Sequence, residues 1–581
     1  MQIKQRTFDE KVVSELITDG THPLLARLYA ARGVASHAEL ETSLSQIIPP
    51  EQLTNNLAMA KLLADAIAAD KKLLVIGDYD ADGATATAVA VKGLRSMGAV
   101  VDYLVPNRFE YGYGLTPEIV QLASTLRPDI LITVDNGIAS VDGVAASNLL
   151  GLQVLITDHH LPGDSTPQAA CIVNPNQKNC DFKSKNLAGV GVMFYVLLAL
   201  RAELRNRGAF KFKSGAEKPE PNLTDLLDLV ALGTVADLVK LDTNNRILVE
   251  QGLRRIRAGA CCAGVTALLK IAGKASEKVT AQDLGFYVGP RLNAAGRLDD
   301  MRLGIACLLA ETEAEAMQKA QTLHELNMER RNIEADMQDA ALSALENIEV
   351  KNQYSLSIYN SNYHQGVIGI LASRLKEKYH RPTLVFADAG QDTKDGLILK
   401  GSGRSIAGLH LRDALDLVTK RHPNLVIKFG GHAMAAGLSI RAEDFVQFQL
   451  VFEAVTRSLL TEADLQAVIE TDGHLDAKYM SLQTAWILAS GVWGQGFAQP
   501  VFSDTFKVIS QRILAEKHSK LILEKVGMGR DSKRFDAIYF NYSDSLPENI
   551  MAVYALEANE YKGLQILQLQ IKYVQKMPVS S

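Results

Sequence analysis

"LLVIGDYDADGATATAVA", from Leu73 to Ala90, decides the fold. It opens on an unbroken apolar run that ends at Gly77, the pattern of a strand buried on both faces. Asp78, Asp80 and Asp82 then put three carboxylates into a span of five residues, and small helix-compatible residues follow. The same D-x-D-x-D-G spacing opens an EF-hand calcium loop, with Gly83 at the sharp turn. That loop needs a bidentate Glu at its twelfth position, where this chain has Val89, and a helix in front rather than a strand. An EF-hand is excluded. A solvated acidic turn would account for one aspartate, but three close carboxylates raise one another's pKa unless a cation sits among them. The stretch points to a cation site.

Outward from this stretch, short apolar runs alternate with helix-like segments as far as Val173. "KKLLVIG", "VDYLVP", "PDILITV", "GLQVLIT" and "AACIV" read as buried strands, and "GATATAVAVKGLRSMG" and "SVDGVAASNLLG" as helices closed by glycine. Such alternation predicts a parallel sheet covered on both faces, with ligands outside the carboxyl ends of its strands. Two more of those ends carry chemistry. "PDILITV" runs into Asp135, and "GLQVLIT" runs into Asp158, His159 and His160. Parallel strands bring these groups to one edge, where they form a site. Asp237, in the apolar "LLDLVALGTVADLV", reads equally as a fourth contribution or as a helix-end aspartate.

Carboxylates with imidazole and no thiolate suit Mn²⁺ or Mg²⁺ better than zinc. Five or six acids exceed the needs of one ion, so two divalent ions bridged by a shared carboxylate are expected. The chemistry of such a pair is hydrolysis of a phosphoester or phosphoanhydride.

At 581 residues the chain holds several domains. With 47% hydrophobic and 22% charged residues it has the composition of an ordinary globular protein. "MQIKQRTFDEK" lacks the apolar core of a signal peptide, and the longest apolar run, Ala188 to Leu200, is too short to span a bilayer and reads as a buried helix. The five cysteines match no zinc or redox spacing, which predicts reduced thiols in a cytoplasmic protein. A net charge of −5 argues mildly against a nucleic-acid partner, but an acidic metal cluster lowers the total while basic residues gather elsewhere.

The expected architecture is α/β. A parallel-sheet domain with its N-terminal segment occupies residues 1–310, and a charged helix without Gly or Pro covers 311–349 as a semi-rigid connection. A second α/β domain follows over 350–462. The alternating β-rich runs of 463–581 predict a small antiparallel barrel resembling an OB-fold.

"DYDADG", "TVDNG", "DHH" and "GTVAD" resemble, in this order, the four motifs of the DHH phosphoesterase superfamily. "YHQGVIGILASRLKEKYHRPT", "GSGRS" and "KFGGHAMAAG" resemble the DHHA1 domain of one of its branches. With "PNRFEYGYG" and "GPRLNAAGRLDD", the similarity extends from about residue 20 to the C-terminal barrel and is to the bacterial exonucleases of that branch. The resemblance implies 5′→3′ degradation of single-stranded DNA to mononucleotides, in recombination and repair. It implies a monomer that works with a single-strand-binding protein and a helicase. It also assigns Asp78, Asp80, Asp82, Asp135, His159 and Asp237 to the metal centre, with Asp135 as the bridging ligand. His160 becomes a ligand or proton-handling residue, and Asp158 orients a neighbouring imidazole.

For the substrate, Arg108 in "PNRF" is a candidate for holding a terminal phosphate bidentately, against the alternative of a surface ion pair. Tyr113 in "YGYG" is a candidate for stacking on a base, or else a loop tyrosine. Arg291 and Arg297, with Asn293 between them, read as phosphate contacts or as a structural hairpin. "GSGRS" and "GGHAMAAG" read as glycine-rich turns whose N–H groups cradle phosphate, reinforced by Ser402, Arg404 and His432. His364 either joins them or caps the following helix. Lys517, His518 and Lys520 are DNA contacts or a solvated face. Two other readings compete: a phosphodiesterase of cyclic dinucleotides or very short oligonucleotides, and an inactive scaffold in a replication complex. The scaffold requires no acids, yet this chain keeps every one of them.

Overall fold

The computed structural model describes residues 1–107, 111, 114–211, 218–345, 350–393, 396–527, 533–561 and 563–577. The acidic stretch folds as the sequence predicts: Lys72–Gly77 is strand β1 and Ala81–Ser96 is helix α1. Val100–Leu104 (β2), Ile130–Val134 (β3), Gln153–Thr157 (β4) and Cys171–Val173 (β5) complete a five-stranded sheet in the order β2-β1-β3-β4-β5. Every neighbouring pair is parallel. The chain leaves β1 for β2 on one side and crosses back to β3 on the other. The carboxyl ends of β1 and β3 therefore flank the crevice where the winding reverses, the usual ligand site of an open α/β sheet.

The apolar run after Ala188 is helix α2, Gly189–Asn206, and Leu227–Ala236 is helix α3. Both pack on α1. Enclosed by the sheet and two helices, α1 has room only for small side chains, which is why it reads Ala-Asp-Gly-Ala-Thr-Ala-Thr-Ala and is buried from Ala81 to Val91. "GPRLNAAGR" is neither turn nor hairpin; it lies in helix α4, Gly289–Leu298.

The described chain forms two compact units. Met1–Lys4, Arg297–Asp299 and Glu325–Ile469 make one, and the remaining described residues make the other. Helix α5, Glu313–Leu345, passes from one to the other; its 33 residues span about 50 Å. Residues 346–349 of the expected helix lie outside the described residues.

In the smaller unit, Leu356–Tyr359 (β6), Thr383–Thr393 (β7), Gly396–Arg404 (β8), Lys428–Gly431 (β9) and Ala435–Arg441 (β10) form a mixed sheet in the order β9-β10-β8-β7-β6. Phe386, Phe448 and Phe452 lie in its core. One of the two expected glycine-rich turns is corrected here. "GSGRS" is not a turn: Gly401 to Arg404 end strand β8, where the ladders to β7 and β10 occupy the backbone groups expected to cradle phosphate. Gly401 is a glycine for packing, because a Cβ there would lie 2.5 Å from the Phe386 ring. "GGHAMAAG" joins β9 to β10 as a hairpin, with the His432 N–H donating to the Ala435 carbonyl.

The C-terminal strands Phe502–Leu514 (β11), His518–Lys525 (β12), Arg534–Tyr539 (β13), Asn549–Tyr561 (β14) and Leu564–Lys576 (β15) close into a barrel in the order β11-β12-β13-β15-β14. Phe502, Phe506, Leu521, Leu523, Tyr554 and Leu569 fill it. Closure leaves no sheet edge to pair with another chain. The five cysteines are free thiols, and no described helix is long and apolar enough to cross a membrane.

Candidate metal centre

Each strand end delivers its group by a different local device. After β1, Asp78 turns its Oδ1 onto the Tyr79 N–H (2.7 Å). Asp80 is the N-cap of α1, accepting from the N–H groups of Asp82 (2.9 Å) and Gly83 (3.0 Å). Asp82, one residue inside the helix, is fully buried. Its carboxylate accepts the N–H groups of Gly189 (2.6 Å) and Val190 (2.9 Å), so the positive end of α2 is aimed at it. After β3, Asp135 is held in the left-handed region at a φ of +62° by its N–H bond to the Thr157 carbonyl. Gly189 has to be glycine there, since a Cβ would lie 2.5 Å from Asp135 Cβ.

After β4, Asp158 is the hub of the histidine pair. Its Oδ1 accepts the backbone N–H groups of His159 (2.7 Å) and His160 (3.0 Å) and lies 2.8 Å from His160 Nδ1; its Oδ2 accepts from the Ile138 N–H (2.9 Å). Asn176 and Asn174 donate to the carbonyls of His159 and His160. Asp237 is both things the sequence allows: it caps the C-terminus of α3 and it faces the centre.

These groups converge. His159 Nε2 lies 3.1 Å from Asp135 Oδ1, 3.5 Å from Asp237 Oδ2 and 3.9 Å from Asp82 Oδ2. Three sets each bring one donor atom per residue within 4.8 Å of one another: Asp78, Asp80 and Asp135; Asp135, His159 and His160; Asp82, His159 and Asp237. Asp135 and His159 each belong to two of the sets.

The electrostatics fit a cation. Burial and then the neighbouring Asp80 charge push the Asp82 carboxyl up to about 7, against the pull of the two α2 N–H groups. Asp135 and Asp237 are also raised well above the carboxylate range, first by burial and then by the surrounding aspartates. Asp135 Oδ1 is buried and makes no hydrogen bond among the described residues; its contact with His159 is close but not aligned as one. Positive ions among these oxygens would relieve each of these costs. Asp158 behaves in the opposite way. Burial would raise it, but the bond from His160 and the two imidazole charges hold it below the usual range. Burial lowers His160, yet Asp158, Asp78 and Asp80 together push it up to about 9.

The expected substrate residues divide. Arg108 and Tyr113 lie outside the described residues. Arg291 is buried, and its Nη1 donates to the Tyr287 carbonyl (2.5 Å) one turn back in the chain. Asn293 uses its Oδ1 to accept the Ala81 N–H (2.8 Å), which pins α4 to the acidic stretch. In the smaller unit, Arg297 Nη1 donates to the Gly366 carbonyl (3.1 Å). His364 Nδ1 accepts the Gly366 N–H in the turn ahead of the helix Ile368–Tyr379, whose N-cap position is Val367 without a side-chain cap, so His364 does not cap that helix. Arg404 Nη1 reaches Ser402 Oγ (3.3 Å) and the Gly403 carbonyl (2.8 Å). Burial lowers the Arg404 pKa, and no described carboxylate forms a salt bridge with it. His432 follows the end of β9. In the barrel, Lys520 Nζ lies 3.7 Å from Asp536, and His518 Nδ1 accepts the Asn541 N–H.

Sequence reasoning misses the groups that support the centre. Gly189 and Val190 are hidden in a run that reads only as buried helix, although glycines in its first turn signal a close backbone approach. Gly296 escapes it as well. A Cβ there would lie 1.8 Å from the Tyr79 carbonyl, so the acidic loop packs directly on bare α4 backbone.

Comparison with known proteins agrees along the whole chain. Residues 72–234 match the DHH family N-terminal domain, 351–458 the DHHA1 domain and 471–573 the RecJ OB domain. The single-stranded-DNA-specific exonuclease RecJ of Salmonella typhimurium is 48% identical over 580 residues, 98% of this chain and 98% of that protein. The crystal structure of RecJ from Thermus thermophilus in complex with Mn²⁺ superposes with a TM-score of 0.80 at 28% identity, covering 100% of this chain and 80% of that one. Its Mg²⁺ complex gives 0.76 at 26% identity, covering 100% and 78%. With the ordered acids, both α/β domains and the barrel all matched, the chain belongs to the RecJ family of single-stranded-DNA-specific exonucleases.

Proposed function

We propose that this protein removes mononucleotides from the 5′ end of single-stranded DNA by phosphodiester hydrolysis that depends on two divalent cations, Mn²⁺ or Mg²⁺. The observation that carries the reading is the sharing of Asp135 and His159 between overlapping donor sets on one sheet edge. One set would serve one ion; overlapping sets built from hard donors suit a pair. Asp78, Asp80, Asp82, Asp135, His159 and Asp237 would hold the ions, which when bound supply an activated water and stabilise the leaving oxygen.

The chain's own part is orientation and proton handling. Asp158, kept ionised, can only accept, so His160 carries its ring proton on Nδ1 and presents Nε2 away from Asp158. With cations held by Asp78 and Asp80, the charges that raise His160 would be offset, and its ring would return toward the range where Nε2 exchanges a proton near neutral pH. In the smaller unit, the half-buried Arg404, with no salt bridge to a carboxylate among the described residues and with Ser402 beside it, supports a role in binding DNA phosphate. Arg108, Tyr113, Arg291, Arg297 and His432 stay in the proposal as further substrate contacts. Cooperation with a single-strand-binding protein and a helicase, in a cytoplasmic repair role, belongs to it too.

Product analysis tests this. Single-stranded DNA labelled at either end is incubated with Mn²⁺, with matched duplex and the Asp135→Ala variant beside it. Early release of labelled mononucleotide from the 5′ end only, with duplex spared and the variant inert, is the expected result. Inert long DNA with rapid hydrolysis of very short oligonucleotides would replace the reading with that of a small-substrate phosphodiesterase.

A further inference from the structure

Leu238 directly follows Asp237 past the end of α3, with a φ of +60°. Glycine is the usual residue at such a position, because a left-handed backbone crowds a Cβ against the carbonyl oxygen. Among the described residues eleven non-glycines have positive φ, and Leu238 is the one large apolar residue; the others are polar or charged apart from Ala515. Its side chain is 68% exposed, so packing does not offset the strain. A leucine that costs stability through both backbone and exposure, beside a candidate ligand, is accounted for by something that covers it in use.

A second observation meets the first. Leu284–Val288 is a π-helical turn, a form concentrated at functional sites. It packs on the same end of α3: Cβ positions built at Gly285 and Gly289 lie 3.1 Å from Val235 and from Ala236. This turn leaves Phe286 75% exposed before the chain enters α4. Leu161, directly after His160, is 60% exposed in the same way.

We infer that Leu238 and Phe286 form a contact surface for the nucleobases of a single strand, beside the metal centre. The inference rests on the exonuclease reading. Continuity with the centre selects the occupant, because a phosphodiester brought to Asp135 and Asp237 carries its bases within reach of the neighbouring residues. Base faces are the part of a strand flat and apolar enough to cover a phenyl ring and an isobutyl group, whatever the sequence. In a duplex those faces are covered by neighbouring pairs. This contact therefore favours unpaired DNA.

The test uses two strands of equal length, one fully base-bearing and one with abasic residues at several positions of both ends. Wild-type kcat/KM should favour the base-bearing strand by roughly 10-fold, given the worth of stacking. Phe286→Ala and Leu238→Gly should each bring that ratio down toward one. Leu238→Gly relieves the strained backbone, so its thermal midpoint at or above wild type certifies the fold. An unchanged ratio in both variants, or no wild-type preference, overturns the inference while the exonuclease reading stands. A wild type that cleaves neither strand overturns that reading and this inference with it.

Discussion

Asp158 Oδ1 lies 2.8 Å from His160 Nδ1 while accepting the backbone N–H groups of both histidines, so a single oxygen fixes the ring and the loop that carries it. Asp158→Asn keeps the shape and loses the charge. Turnover of single-stranded DNA should fall about 10- to 100-fold with KM little changed. The pH–rate profile should also shift, since the carboxylate holds the His160 pKa up. Steady-state kinetics across pH checks this; an unaltered kcat would remove Asp158 from the mechanism.

Chelation should make stability fall as pH rises. Asp82, Asp135 and Asp237 have folded pKa values raised above their unfolded ones, to about 7 for Asp82. Protons retained in the folded state stabilise fully below the unfolded value of about 4, and that contribution is lost as pH climbs through the folded value. His160, raised to about 9, adds the same sign above pH 6.5. The melting midpoint of EDTA-treated protein should drop by on the order of 5 °C between pH 5 and pH 8. Mn²⁺ should recover more at pH 8 than at pH 5. A midpoint that rises across this window would count against the assigned shifts.

Gly296→Ala should damage both the fold and the reaction. The added Cβ meets the Tyr79 carbonyl, so either α4 or the acidic loop must move. Overpacking of this kind costs about 1–3 kcal/mol. Urea denaturation reads the loss of stability, and kcat should fall further than stability alone explains.

Asn293→Ala separates positioning from phosphate contact. Losing the acceptor for Ala81 N–H costs about 1 kcal/mol and loosens the first turn of α1. The salt dependence of KM should match wild type, whereas a residue touching phosphate would flatten it. Asn293→Asp, which keeps an acceptor, should recover most of the stability.

Legibility in the sequence follows locality. The parallel sheet and its acids are readable because a buried strand ending in a carboxylate is a local pattern, and parallel strands by themselves bring their ends together. The barrel is readable from alternation. "GSGRS" misleads because a glycine excluded from carrying a Cβ by Phe386, a residue of the neighbouring strand, looks in sequence like a glycine that makes a turn. "GPRLNAAGR" misleads for the same reason, since Gly296 answers to Tyr79 far away in the chain. The support of Asp82 by the start of α2 is marked only by the glycines of its first turn, because a backbone N–H carries no residue-type signature.

The attachment of Asp82 to α2 has a practical side. Gly189 and Val190 hold the carboxylate, while the following turns of the same helix, through Val196 and Leu197, lie fully in the core. An axial slip of that helix is thus transmitted as a displaced ligand. Anyone engineering a hardier variant should leave the interior around α2 alone and look for gains in the barrel, whose filling is separate from this linkage. Repacking along α2 becomes instead a remote dial on cation affinity.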